Sequence, residues 1–300
     1  MSANLYILAF DHRGSFKKKM FGIIGREPNA DEQARLADAK RLIFEGVQRA
    51  ISDGAPLDSV GILVDEEMGA DVAREAKASG IRLAMPVEKS GQPTFDFEYG
   101  EAFGSHIEAF DPEFSKVLVR WNPDDSDEIK QQQGEKLARL GNWLHDRGRT
   151  FLFELLVPAS EAQLSLVGGN SDAYDTEVRP YLMLQTIDEI QAAGVEPDIW
   201  KIEGLDRSID CDLVSKLIRR DGRDHVSAVV LGRGADGSRV DHWLTVGART
   251  PGYVGFAIGR TIWWAGVEGL KDGTMSRSEA VADIATKFRH FIDVYEKASS

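Results

Sequence analysis

One cysteine, Cys211, occurs in 300 residues. A single thiol can form no intrachain disulfide and cannot supply the paired thiolates of a structural metal site. Long apolar runs are missing too. No stretch reaches the roughly 18 residues a membrane-crossing helix needs, so no membrane partner is expected. The first ten residues, Met1 to Phe10, lack the charged start, apolar run and cleavage site of a secretory signal, and read as a strand beginning almost at once. With no disulfides to form, a cytoplasmic setting is expected. Basic charge is also short: 36 Lys and Arg face 49 Asp and Glu, a formal charge of −13. That argues against a nucleic-acid partner, which would need a basic footprint. If the ligand is an anion, the positive charge that receives it must be local. The place to look is a loop where arginine and glycine occur together.

Metal and dinucleotide signatures are absent as well. The six histidines, His12, His106, His145, His225, His242 and His290, show no HxxxH or HExxH spacing. No metal or other cofactor is therefore expected. The first strand ends in Asp11-His12-Arg13-Gly14, not in a GxGxxG turn, which disfavours a doubly wound nucleotide-binding sheet. No low-complexity linker or internal repeat divides the chain.

What is present is an alternation. With 42% hydrophobic residues the chain can bury a sizeable core. Short β-branched or aromatic runs occur at Leu5–Phe10, Val60–Val64, Ile81–Val87, Lys116–Trp121, Thr150–Val157, Ile199–Ile202, Val226–Leu231 and Val254–Ile258. Helical periodicity separates them, at Asp31–Asp53, Gly69–Ala78, Glu98–Phe110, Ser126–Arg147, Asp175–Ala193, Ser208–Arg220, Val240–Ala248 and Thr261–Leu270, with a closing helix at Arg277–Lys297. Eight near-continuous apolar strands alternating with helices predict an α/β fold, a single (β/α)8 TIM barrel over residues 1–300.

In such a barrel alternate strand residues point inward, and function gathers at the strands' C-terminal ends. Parity then selects the candidates. Lys201 lies between Trp200 and Ile202 and shares its face with Glu203. Glu154 lies between Phe153 and Leu155. Lys116, Leu118 and Arg120 share one face. The first strand runs into Asp11 and Arg13, the second into Asp65, Glu66 and Glu67, and the third into Glu88. Burying so many ionisable groups is costly unless they pair or meet a ligand. A purely structural ion network is the plainer alternative. A lysine between apolar walls can have its pKa lowered toward neutrality and act as a nucleophile, with Glu154 and Asp11 moving protons. The loops after the last two strands carry Gly232-Arg233-Gly234 and Gly259-Arg260, the habitual position of a phosphate site in barrels. Arg233 could instead pair with Glu203 or Asp236. Lys89 points to solvent unless its loop folds over the mouth, and Trp243, Trp263 and Trp264 read as helix packing.

These residues carry a family resemblance. The segments LAFDHRG (8–14), GILVDEEMG (61–69), MPVEKSG (85–91), KVLVRWNPDD (116–125), FELLVP (153–158), DIWKIEGL (198–205) and GFAIGRTIW (255–263) resemble, in order and spacing, the aldolase-like domain fused C-terminal to the kinase in some bacterial 5-dehydro-2-deoxygluconokinases of inositol breakdown. More distantly the chain is similar to class I tagatose-bisphosphate and sulfofructose-phosphate aldolases. The resemblance implies that Lys201 is a Schiff-base lysine and Glu154 the acid/base. It further implies that Asp11 and Lys116 contact substrate oxygens and that Gly259 and Arg260 grip a phosphate. Arg233 departs from the Ser-Gly-type loop of the tagatose enzymes. The expected reaction is retro-aldol cleavage of 2-deoxy-5-keto-gluconate 6-phosphate to dihydroxyacetone phosphate and malonate semialdehyde. A ketohexose phosphate or a sulfonated ketose is the alternative substrate. A sugar-phosphate-binding barrel without chemistry and a metal-dependent isomerase are the alternatives of other kinds. The expected partner is a small anionic sugar; self-association is left open.

Overall fold

The apolar runs become eight strands in a computed structural model that describes residues 4–300; Met1, Ser2 and Ala3 lie outside the described residues. The strands are β1 (Leu5–Ala9), β2 (Val60–Leu63), β3 (Arg82–Pro86), β4 (Phe114–Arg120), β5 (Thr150–Leu156), β6 (Ile199–Glu203), β7 (Ser227–Leu231) and β8 (Tyr253–Ile258). All pair in parallel in chain order, and β8 returns to β1, so the sheet closes as a (β/α)8 TIM barrel. Closure leaves no edge strand to protect.

The helices are α1 (Gly14–Phe21), α2 (Ala30–Ser52), α3 (Glu66–Ala78), α4 (Phe103–Phe110), α5 (Asp127–His145), α6 (Glu161–Leu166), α7 (Ser171–Ala173), α8 (Arg179–Ala192), α9 (Ser208–Ile218), α10 (Gly237–Ala248), α11 (Arg260–Lys271) and α12 (Arg277–Ser299). Three of them, α1, α6 and the single turn α7, fall where the sequence predicts no helix. In α1 only Phe16 and Met20, four residues apart, are buried, and three consecutive lysines between them hide that short apolar face. The helix predicted from Asp175 begins instead as a π-helical turn, Tyr174–Val178, and becomes α-helical at Arg179. Pro180 has no N–H, so the regular ladder can start only beyond it.

Two apolar layers result. Inside the barrel, Leu5, Ile7, Leu63, Ala84, Phe114, Leu152, Ile199 and Val229 form the floor. Outside, strand residues of opposite parity, among them Tyr6, Leu8, Phe153, Trp200 and Ile202, pack against the helices. The outer layer is tight where α12 crosses α2. There a Cβ on Gly46 would collide with the Ile284 side chain. Capping boxes at Asn29/Glu32 and Ser276/Glu279 start these two 23-residue helices. The inward series changes from large and apolar at the floor to small or charged at the C-terminal ends. Ala9 and Ala257 leave room there, and Lys116, Glu154 and Lys201 fill part of it.

Candidate active site

Strand register brings the charged residues together. Glu154 on β5 and Lys201 on β6 are directly paired positions with inward side chains, and Glu154 Oε2 lies 2.9 Å from Lys201 Nζ. On β4, Leu118 is the partner of Glu154. Lys116 therefore starts one inward step lower, and its four-carbon stem brings Nζ to 3.0 Å from the same Glu154 oxygen. Lys116 Nζ also lies 2.8 Å from Asp11 Oδ2 and 3.0 Å from Glu88 Oε1. All five side chains are buried.

The electrostatics separate these groups. Burial alone would lower the pKa of Lys116, but Asp11, Glu154 and Glu88 around it raise it well above the ordinary lysine value, so it stays an ammonium. Burial would raise Glu154, yet the Lys116 and Lys201 ammonium groups outweigh that and hold it below the usual carboxylate value. Asp11 is likewise lowered, burial being overcome chiefly by Lys116. Glu88 goes the other way: burial raises it, and Lys116 and Arg13 offset only part of the rise. The apolar walls expected around Lys201 prove to be the floor only. Its amine meets the Glu154 carboxylate.

These groups lie at the base of a cavity of about 660 Å³ at the C-terminal mouth of the barrel. Its lining holds seven Lys or Arg (Arg13, Lys89, Lys116, Arg120, Lys201, Arg233, Arg260) and five Asp or Glu (Asp11, Glu88, Glu154, Asp175, Glu203). A chain of formal charge −13 thus keeps a local cationic excess in this cavity. Among the described residues, Lys89, Arg120 and Arg260 have no carboxylate partner. Among the described residues, no group of three or more His, Cys, Asp or Glu is arranged to hold a metal ion.

Arg13 lines the mouth but is engaged. Its guanidinium donates to the Glu88 carbonyl at 2.8 Å, to Glu88 Oε1 at 3.3 Å and to Glu98 Oε2 at 2.8 Å. This ties down the loop after β3, so that Lys89 through Phe95 fold over the mouth and line the cavity. Arg233 is engaged as well, at 2.9 Å from Glu203 and 2.5 Å from Asp175, while Asp236 caps α10. Its backbone has a second task. The Arg233 carbonyl accepts from Arg260 Nη2 at 2.9 Å. Gly234, at φ +74°, leaves the space this needs, since a Cβ there would stand 2.9 Å from Arg260 Cζ. Arg260 opens α11, with Gly259 at the N-cap.

Two predicted contacts lie elsewhere. Asp65 follows β2 by two residues and has the right parity, but the strand ends at Leu63 and the chain turns into α3. The Asp65 side chain caps α3 by accepting from Met68 N and faces the buried Lys40 at 2.6 Å, outside the cavity. Gly232 packs under Ile258 and Val240 and does not line the cavity. His12, Tyr174 and Asp175 are among the lining residues for which the sequence suggests no role. Tyr174 Oη donates to the Val157 carbonyl at 2.9 Å, and burial and Glu203 push its pKa up to about 12. His12 stands in the LAFDHRG segment (8–14), directly after Asp11, and that adjacency is its one visible signal in the sequence.

Over residues 1–299 the chain matches the family described as "Uncharacterized protein conserved in bacteria (DUF2090)", and it belongs to that family. No curated protein matches it significantly. Among solved structures, the fructose-bisphosphate aldolase from Plasmodium falciparum, in complex with TRAP and a small-molecule inhibitor, superposes with a TM-score of 0.71 at 13% identity, covering 100% of this chain and 92% of that one. The Cgl0159 protein of Corynebacterium glutamicum gives 0.60 at 15% identity, covering 96% and 86%. At these identities the likeness is one of fold.

Proposed function

We propose that this protein is a lyase of the class I aldolase type, in which Lys201 forms a Schiff base with an anionic ketose. The observation that carries the proposal is one oxygen, Glu154 Oε2, within 3.0 Å of both Lys116 Nζ and Lys201 Nζ. The two lysines divide the work. Lys116 faces three carboxylates that keep it charged, so it serves as a donor to a substrate oxygen and not as the nucleophile. Lys201 faces Glu154 alone, hands it a proton and attacks the ketone as the free amine. The carbinolamine's hydroxyl leaves as water with a proton from Glu154, giving an iminium. A carboxylate, Glu154 or Asp11, then takes the proton of the β-hydroxyl. The C–C bond breaks, an aldehyde leaves, and the iminium becomes an enamine. Protonation and hydrolysis of that enamine release the second product and the Lys201 amine. A Glu154 held below the usual carboxylate value is ionised and ready for the first transfer.

The cationic excess of the lining supports an anionic substrate, and Arg260 with the N–H groups opening α11 is the grip we assign to its phosphate. The fold shared with a fructose-bisphosphate aldolase adds support. Within the class, the resemblance to the domain of the bacterial kinases favours 2-deoxy-5-keto-gluconate 6-phosphate. A ketohexose phosphate or a sulfonated ketose such as sulfofructose is the alternative. The test is cleavage of a panel of these compounds by the wild type and by Lys201→Met. Loss of at least about three orders of magnitude is expected. Cleavage retained in the variant but abolished by a chelator would point to metal-dependent chemistry instead. Binding without cleavage of any compound would leave a sugar-phosphate-binding barrel.

A further inference from the structure

His12 lies in the cavity beside the first turn of α11, yet the proposed chemistry gives it no task. Its ring meets Trp263 edge to face, with centroids 5.5 Å apart, and its Cε1 lies 3.2 Å from where a Cβ on Gly259 would stand. The ring edge that carries both nitrogens is therefore turned toward the N-cap of α11. Nδ1 is buried without a partner. Among the described residues Nε2 makes no hydrogen bond either. The backbone that carries the ring is fixed, because Lys40 Nζ donates to the His12 carbonyl at 2.9 Å. An imidazole with both nitrogens unused, next to an arginine that has no carboxylate partner and a helix N-terminus, is equipped to receive an anion.

We propose that His12 is a third ligand of the substrate's anionic group, beside Arg260 and the α11 N-terminus, and that it binds that group as imidazolium. Anion and proton then enter together. The charges around the ring explain why the empty site holds it neutral. Burial is the largest influence. Of the charged groups facing it, Lys40 from α2, Lys201 from β6 and Arg260 from α11 disfavour the cation, and Asp11 on its own loop favours it. The result is a pKa pushed down to about 4. A dianion at Arg260 brings two charges of favourable sign, one of which offsets Arg260 itself, and this drives the pKa back up. The inference rests on the anion site assigned above, and its test keeps the two apart.

Sulfate is a suitable probe because it stays a dianion across the working pH range and carries no titration of its own. Calorimetry at pH 6.5 in buffers of different ionisation enthalpy counts the protons taken up. The wild type is expected to take up close to one proton per sulfate. Its association constant should fall by up to about tenfold per pH unit as pH rises from about 5 toward 7. His12→Asn should still bind sulfate, with neither uptake nor slope. In wild type carrying ¹³C-labelled histidine, sulfate should move the His12 ring signal toward the imidazolium position, a readout that needs no variant. Binding that depends on Arg260 but takes up no proton would overturn the role of His12 and leave the anion site standing. Uptake that persists in His12→Asn would do the same. No sulfate binding, or binding indifferent to Arg260→Ala, would remove the anion site and this inference with it.

Discussion

A buried lysine costs free energy unless its protons are matched, and Lys40 shows how this chain meets that demand. The residue is fully buried. It donates to the Phe10 and His12 carbonyls, which flank Asp11, and to Asp65 at 2.6 Å. The pair that takes Asp65 out of the cavity therefore fixes the turn that presents Asp11. Removing one partner strands the other's charge. Lys40→Met is expected to destabilise the fold by about 3–5 kcal/mol in urea unfolding. Adding Asp65→Asn, which keeps an oxygen for the α3 cap, should recover part of that loss. A cost below about 1 kcal/mol for the single change would show that the pair does not hold the turn. His12 makes a second prediction at this scale. Its folded pKa of about 4 lies below the ordinary 6.5, so between those values the unfolded chain binds more protons. The contribution is fully present above pH 6.5 and is lost as pH falls toward 4. It amounts to at most about 3 kcal/mol. His12→Asn should flatten that part of the stability profile. An unchanged profile would mean that the histidine titrates normally.

Among the elements, strands were far more legible than short helices. Period-two alternation survives in strands of four to seven residues, and it identified the inward faces of β4, β5 and β6. Position at a strand end misled at Asp65, because β2 stops at Leu63 and the chain has already turned toward α3. The helices α1 and α6 span eight and six residues, too few turns for a periodic signal. Partners across elements were legible only in part: Glu203 was an open alternative for Arg233 and is its partner. Nothing in the sequence sets Arg13 against Glu98 or Arg233 against Asp175, since these contacts depend on how loops fold back over the mouth. The loop after β8 carries the prediction at this scale. Arg260→Ala should reduce kcat/KM on a phosphorylated substrate by the equivalent of about 2–5 kcal/mol, and much less on an unphosphorylated analogue. Equal losses on both would mean that Arg260 supports the barrel and not the anion.

At the scale of the whole molecule, two separations organise the account. Apolar bulk fills the lower barrel while ionisable groups crowd its C-terminal end, and negative charge covers the chain while the mouth keeps a cationic excess. The first was legible in the sequence, because lone charges inside apolar strands are conspicuous. The second was not, because net charge says nothing about where the cations gather. Together they give a positively biased pocket around a carboxylate that two lysines share, and we propose Lys201 as the nucleophile of that pair. The most direct test is borohydride reduction of the protein with a keto-sugar phosphate, followed by peptide mass spectrometry. One reduced adduct is expected, on the peptide containing Lys201, absent from Lys201→Met and still formed when Lys89 is replaced. An adduct on Lys116 or Lys89, or turnover of the substrate with no reducible adduct, would contradict it.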